Sequence, residues 1–510
     1  MKIKSLKLKN FRSYREEIII NFNDLTVFVG KNDIGKSTIL EALDLFFNEG
    51  KGVIKFDKTD INKRALENGE KEAIITVIFS ELPENIIIDA MNETNLQDEY
   101  MLNNQGELEI IKKYSTSNPR VYIKMFHPTN PQCCDLLSKK SSELKKIIKD
   151  NNIKCTDNKR NSIMRRAIWK FYEKNLDLKL IEFEITKLEE GKSILAKLEK
   201  EYPLYTLFQA DRKNCDEDNE VQDPLKEAVK EILKDEELQK GLEEIAIKVR
   251  EKLINVSERT LEKLKEMSPE IAKTLQPIIP ETDALKWNEV FKKVSICGDE
   301  NIPINKRGSG VKRLILLNFF RAEAERRMQE KNIHKVIYAI EEPETSQHTE
   351  NQKKLIDAFI KLSKNKNTQV ILTTHSSNIV KKLDFSNLRL IKLEDKNKNV
   401  CEIIKEQLPY PSLNEVNFSA FSEITEEYHN ELYGYIEENN WLGEYKREKP
   451  TRKYIRVTRQ GERSEDKILT EYIRHQIHHP ENKKNVLYTS EELKESISLM
   501  RKFIEEKHSC

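Results

Sequence analysis

An apolar strand pattern, Leu25-Thr26-Val27-Phe28-Val29, runs into Gly30-Lys31-Asn32-Asp33-Ile34-Gly35-Lys36-Ser37 and then into an amphipathic stretch expected to be helical from Ser37 to Phe47. No other feature restricts the fold as strongly. A glycine at each end lets the loop curl until its backbone N–H groups and the N-terminus of the next helix converge, forming an anion cradle of phosphate size. Strand, loop and helix in this order imply an α/β domain with ligands at the C-terminal edge of its sheet. In such a loop Gly30, Lys31, Asn32, Asp33, Gly35, Lys36, Ser37 and Thr38 surround the phosphates of ATP. Lys36 reaches the β- and γ-phosphates, and Ser37 ligates Mg²⁺.

The chain opens with strand patterns at Ile3 to Leu8 and Glu17 to Phe22, and another follows at Ala73 to Phe79. A long mixed stretch then runs to about residue 284, with leucine, isoleucine and valine at three- and four-residue spacing from Leu225 to Leu264. Alternation returns with a helix from Val311 to Glu330, a strand from Val336 to Ile340, a helix from Glu350 to Leu362 and a strand from Gln369 to Thr373. These strands are apolar runs, as a parallel sheet covered on both faces requires. At 510 residues the chain should hold two or three domains. The expected fold is α/β: a split ATPase head with lobes at 1–80 and 285–400, a mostly helical arm at 81–284, and a helix-rich C-terminal domain at 401–510 that binds a partner or acts as effector.

Three further motifs fall in a meaningful order. Glu341-Glu342-Pro343-Glu344 closes the strand at Val336 to Ile340, at the edge where ligands of open α/β sheets bind. Glu341 is assigned to the metal and Glu342 to the attacking water, although the usual pair is Asp-Glu and Glu341 has the longer arm. Lys306-Arg307-Gly308-Ser309-Gly310-Val311 precedes a long helix, and Ser309 and Gly310 there would form an anion site useful to ATP held by a second copy of the chain. A helix cap with a flexible loop is the plainer alternative. His375 follows the strand Val370 to Thr374, where its side chain could reach the γ-phosphate; a lone histidine there is otherwise structural.

As a set, these residues resemble the ABC-type ATPases of the SMC, RecF and OLD group, whose head is split by an inserted arm. Leu6-Lys7-Leu8-Lys9-Asn10-Phe11-Arg12-Ser13-Tyr14 is similar to their opening, Ile340 to Glu344 to the OLD carboxylate motif, and Thr374-His375-Ser376 to their histidine switch. The resemblance covers residues 1–80 and 290–395. It implies that Gln209 is the glutamine that touches both nucleotide and metal, and that heads associate at least in pairs around ATP. OLD nucleases carry a Toprim domain after the ATPase, with a strand ending in Glu-Gly and a later Asp-x-Asp pair; neither pattern follows His375. The chain thus resembles the ATPase subunits of bacterial antiphage systems, PtuA of Septu and retron-linked systems or AriA of PARIS, which work with a separate nuclease or toxin.

Other features bear on partners. With 88 basic and 87 acidic side chains, net charge points to no ligand class, so any nucleic-acid surface must be local. Lys139 to Lys174 is such a stretch, rich in Lys and Arg with Trp169, Phe171 and Tyr172 near its end, and it suits either nucleic acid or a solvated face. Arg474 and His479, with His478 beside them, have the Arg-x4-His spacing of HEPN ribonucleases, or form a basic helix end stopped by Pro480. Asp216-Glu217-Asp218 suits a cation or solvent, and the seven cysteines lack the spacing of a zinc site or disulfide framework. No apolar run approaches bilayer length, and a cytoplasmic location is expected.

Overall fold

The computed structural model describes residues 1–50, 52–89, 92–187, 189–209, 236–278, 295–298, 310, 311, 314, 317, 318, 321, 324, 325, 328, 333, 335–394, 397–458 and 461–509. The Ser309 part of the proposed anion site, the Asp216 to Asp218 loop, and Cys215 and Cys510 lie outside the described residues. The strands are β1 (Lys2–Lys9), β2 (Ile18–Asn21), β3 (Leu25–Val29), β4 (Ala73–Ser80), β5 (Ile86–Asp89), β6 (Asn92–Thr94), β7 (Leu108–Tyr114), β8 (Arg120–Pro128), β9 (Leu178–Glu184), β10 (Leu204–Phe208), β11 (Leu275–Ile278), β12 (Ser295–Gly298), β13 (Val336–Glu341), β14 (Thr368–Thr374), β15 (Leu388–Glu394), β16 (Asn397–Glu402), β17 (Thr451–Thr458) and β18 (Gly461–Ile468). The helices used below are α1 (Lys36–Asn48), α2 (Ser141–Asp150), α3 (Asn161–Phe171), α4 (Glu236–Met267), α5 (Thr349–Ser363), α6 (Ser377–Val380), α7 (Leu413–Phe421), α8 (Glu426–Glu438), α9 (Leu469–His478) and α10 (Ser490–Ser509).

Among the described residues there are two six-stranded sheets, one in the order β2-β1-β4-β7-β8-β9 and one in the order β10-β13-β14-β3-β15-β16. The first is antiparallel throughout. In the second, β10, β13 and β14 run parallel, and all three are buried along their whole length. The chain divides into two compact units: residues 1–27, 35–374 and 394–399, and residues 28–34, 375–393 and 400–510.

The stretch 81–284, expected as a mostly helical arm, contributes strands as well as helices. That stretch supplies β7, β8 and β9 to the first sheet and β10 to the second, and its long helix is α4. Strand β8 shows why: Val121, Ile123 and Met125 alternate inward along Arg120–Pro128, a period of two that mixed composition conceals. Helix α1 is fixed at its far end by strand β7, where Tyr114 Oη donates to Leu45 O at 3.0 Å and Lys112 Nζ to Phe46 O at 2.9 Å. Those bonds satisfy carbonyls that a helix end leaves without intrahelical partners. Phe46, Phe47, Phe79, Tyr202 and Tyr205 form one aromatic cluster, with Phe47 stacked on Tyr205 at 5.4 Å, and so join α1 to β4 and β10.

In the second unit, α8, α9 and α10 enclose a core of Tyr428, Leu432, Ile436, Ile473, Ile497, Met500 and Ile504. Thr451–Thr458 and Gly461–Ile468 pair as the antiparallel hairpin β17–β18, and α9 begins directly after it at Leu469. Buried within this core, His429 Nε2 lies 3.0 Å from Ser496 Oγ, which donates to Thr470 Oγ1 at 2.8 Å. Burial lowers the His429 pKa to about 4, and the nearby charge of Arg474 adds to the effect. An unfolded histidine titrates near 6.5, so between these values only the unfolded chain takes up the proton. The stabilisation is complete above pH 6.5 and is lost as pH falls toward 4, by up to roughly 3 kcal/mol. Urea unfolding at pH 7 and pH 5 should show this loss, and His429→Gln should flatten the slope; an unchanged slope would place the pH dependence elsewhere.

Among the described residues no helix is long and apolar enough to cross a membrane.

Candidate nucleotide site

In the first unit, the parallel run of β10, β13 and β14 brings their C-terminal ends to one edge. Phe208 pairs with Ile340, and Ile340 with Leu372, so Gln209 and Glu341 each stand one residue past paired positions and Glu341 pairs with Thr373. Helix α1 packs against all three strands. Its N-cap is Gly35, at φ 104°, with no side chain to occupy the first-turn N–H groups. A Cβ at Gly35 would sit 3.1 Å from Tyr14 Oη and 3.2 Å from Ser13 Oγ, and Tyr14 Oη itself donates to Gly35 O at 3.1 Å. Sequence and backbone therefore agree that only glycine serves there. Lys36 is 5% exposed.

Glu341 is buried and Glu342 half-buried. Glu342 has φ 40°, a left-handed conformation that costs a bulky residue of order 1–3 kcal/mol. Its N–H holds the turn by donating to Thr373 O at 3.0 Å, with Thr373 Oγ1 at 3.2 Å. Thr374 Oγ1 in turn donates to buried Glu344 at 2.6 Å. The acidic turn is thereby laced to the end of β14. Sequence reasoning gave Glu344 no part, and only the pairing of β13 with β14 reveals it.

Gln209 Nε2 donates to Glu41 of α1 at 3.3 Å, and Glu41 also pairs with Arg12, whose Nε donates to Asp60 at 2.7 Å. Gly310 accepts from Gln347 Nε2 at 2.6 Å, and a Cβ there would fall 2.6 Å from Ser346 O, so the glycine is demanded by the turn that follows the carboxylates.

The second unit holds the front of the loop and the histidine. Gly30 has φ 152° and packs so closely that a Cβ would meet Ile391 O and Ile34 Cγ2, each at 3.0 Å; Asp33 adopts φ 59°. Lys31 and Asn32 lie in the same exposed turn. His375 is exposed and leads into α6, which packs on α7: Ser377 Oγ donates to Glu423 at 3.0 Å, and Lys381 pairs with Glu427 at 2.5 Å.

Arg474 and His479 meet different partners among the described residues. Arg474 lies over the Tyr433 ring at 3.9 Å and pairs with Glu437, while His479 Nδ1 faces Glu481 at 3.2 Å and its ring stacks near His475. Arg474 lies within α9, whereas His479 is its C-cap, at φ −127° and ψ 62°, outside the helix. His478 is exposed.

A glycine-bounded loop opening a helix that lies on parallel strands, with carboxylates at their C-terminal edge, defines a P-loop ATPase of the ABC type, in the SMC, RecF and OLD group. The chain belongs to the AAA ATPase domain family, whose match spans residues 1–380. It is 25% identical over 419 residues to Endonuclease GajA of Bacillus cereus strain HuB5-5, covering 74% of this chain and 56% of that protein. Against Endonuclease GajA of strain VD045 it is 25% identical over 413 residues, covering 79% of this chain and 60% of that protein. The chain thus spans somewhat over half the length of these relatives. Among solved structures, an SMC head bound to the C-winged helix domain of ScpA aligns with 79% of this chain and 98% of its own, at 17% identity and a TM-score of 0.40.

Proposed function

We propose that this protein is an ATPase whose heads pair around ATP and thereby control a partner nuclease or toxin in bacterial antiphage defence, in the cytoplasm. The observation that supports it best is the shared edge of β10, β13 and β14 facing the helix of the phosphate loop, in a chain of the ATPase family. In this reading the loop Gly30 to Thr38 holds the phosphates, with Lys36 at the β- and γ-oxygens. Ser37, Glu341 and Gln209 offer hydroxyl, carboxylate and amide oxygens, the hard donors that Mg²⁺ takes. Bound there, Mg²⁺ would neutralise charge on the β- and γ-phosphates.

Glu342 orients a water and accepts its proton as the water oxygen bonds to the γ-phosphorus; the bond from that phosphorus to the bridging oxygen breaks, leaving ADP and phosphate. His375 contacts the γ-phosphate and, through α6, passes the nucleotide state to the C-terminal helices that face the partner. Ser309 and Gly310 serve ATP held by Lys36 and Ser37 of a second copy.

Shared sites have a mixing signature. A Ser309→Arg chain and a Lys36→Ala chain should each be inactive, while a mixture regains turnover from sites that pair an intact loop with an intact Ser309. Equal inactivity in mixtures, with subunit exchange verified by mass, would show that the sites are not shared.

A further inference from the structure

A strong local charge imbalance sits on two helices of the first unit. Residues 139–174 carry twelve Lys and Arg against four Asp and Glu, in a chain whose total is +1. Lys145, Lys146 and Lys149 on α2, Lys154 and Lys159 in the following loop, and Lys170 on α3 are all exposed. The ion pairs of this region go instead to Lys139, Arg160, Arg165 and Arg166. Clustered ammonium groups repel one another, so an arrangement left unneutralised by its own fold favours an external polyanion.

The surface between these lysines is shaped. Lys145, Ile148, Lys149, Asn152, Ile153 and Asn158 line a recess of about 530 Å³, which combines two cations, two amides and an apolar floor. An aromatic pair stands beside it: Tyr172 Oη donates to Asn151 Oδ1 at 3.4 Å, and the Phe171 ring meets the Tyr172 ring edge-on at 4.9 Å. Phe171 is 54% exposed between Lys170 and the exposed Lys174. A phenylalanine left in water forgoes the stabilisation that burial brings, yet its face is what an unpaired base stacks on.

We propose that this face binds single-stranded nucleic acid, with the lysines on successive phosphates, Phe171 stacked on a base, and the Asn152 and Asn158 amides in the recess on base or sugar edges. A duplex offers phosphates but hides its base faces, so the aromatic selects the single strand. The inference is independent of the nucleotide site.

The test uses the full chain and a labelled oligothymidylate in fluorescence anisotropy, with a duplex of equal length and phosphatidylglycerol vesicles as comparisons. Lys145→Glu with Lys149→Glu and Lys170→Glu should weaken oligothymidylate binding by more than about tenfold at low salt and reduce the slope of log K against log salt by about 2. Phe171→Ala should weaken it by about tenfold while leaving duplex binding unchanged. All four positions are exposed, and unaltered ATP binding would confirm that the variants fold. Equal affinity in wild type and the triple variant, duplex binding at least as tight as single-strand binding, or charge-dependent binding to vesicles alone would overturn the proposal.

Discussion

Lys36→Ala is expected to lose ATP binding, by about a hundredfold or more in a fluorescent-nucleotide titration. Lys36 is the second residue of a Gly-Lys-Ser step whose glycine is held at φ 104° by the fold, so its position is set by the backbone at the start of α1. Each hydrogen bond from an ammonium to a phosphate is worth about 1.5–3 kcal/mol, and the proposed geometry has Lys36 bridging two phosphates. Unchanged thermal unfolding would show that the loss is local. Affinity within a few fold of wild type would remove Lys36, and with it the assignment of the loop, from the site.

Glu342→Gln is expected to retain ATP binding and slow steady-state hydrolysis by about 10²–10⁴, the usual weight of a general base. The amide keeps the shape of the carboxylate and cannot accept the water's proton, so ATP-bound assemblies should accumulate. Turnover within about threefold would move the role to another residue. The backbone adds a second readout. Because φ 40° strains any residue with a Cβ, Glu342→Gly should relieve more strain than it adds in unfolded-chain entropy, a net gain of about 1 kcal/mol. The glycine variant should therefore melt roughly 2 °C higher while being as slow as the glutamine variant. A glycine variant that melts lower would show that the Glu342 side chain contributes to the fold.

The parts that sequence makes plain are those where one residue type has one physical use. Gly30, Gly35 and the buried apolar runs of β3, β13 and β14 are of this kind, and those strands form where expected, to within a residue or so. The hairpin β17–β18 is the opposite case. Only Tyr454 and Ile468 are buried along its sixteen residues, and charge pairs such as Arg456 with Glu465 across the ladder accompany the turn at Gly461. A strand that buries so little leaves no apolar alternation to read, and its charges look like a helix surface. The lacing of Glu344 to Thr374 is invisible for another reason: the residues are thirty apart in the chain and meet only after β13 and β14 pair.

The family match stops at residue 380, which is the last residue of α6. That boundary is one of ancestry and not of folding. Ile379 and Val380 are buried on a helix that packs on α7, more than thirty residues later, and Gly30 closes against the carbonyl of Ile391. A protein cut to the family limit would keep every motif letter and lose the backbone that shapes the first glycine of its loop. Stable fragments of this chain must therefore extend through α7, and proteases that nick between residues 380 and 413 should inactivate the nucleotide site from outside it.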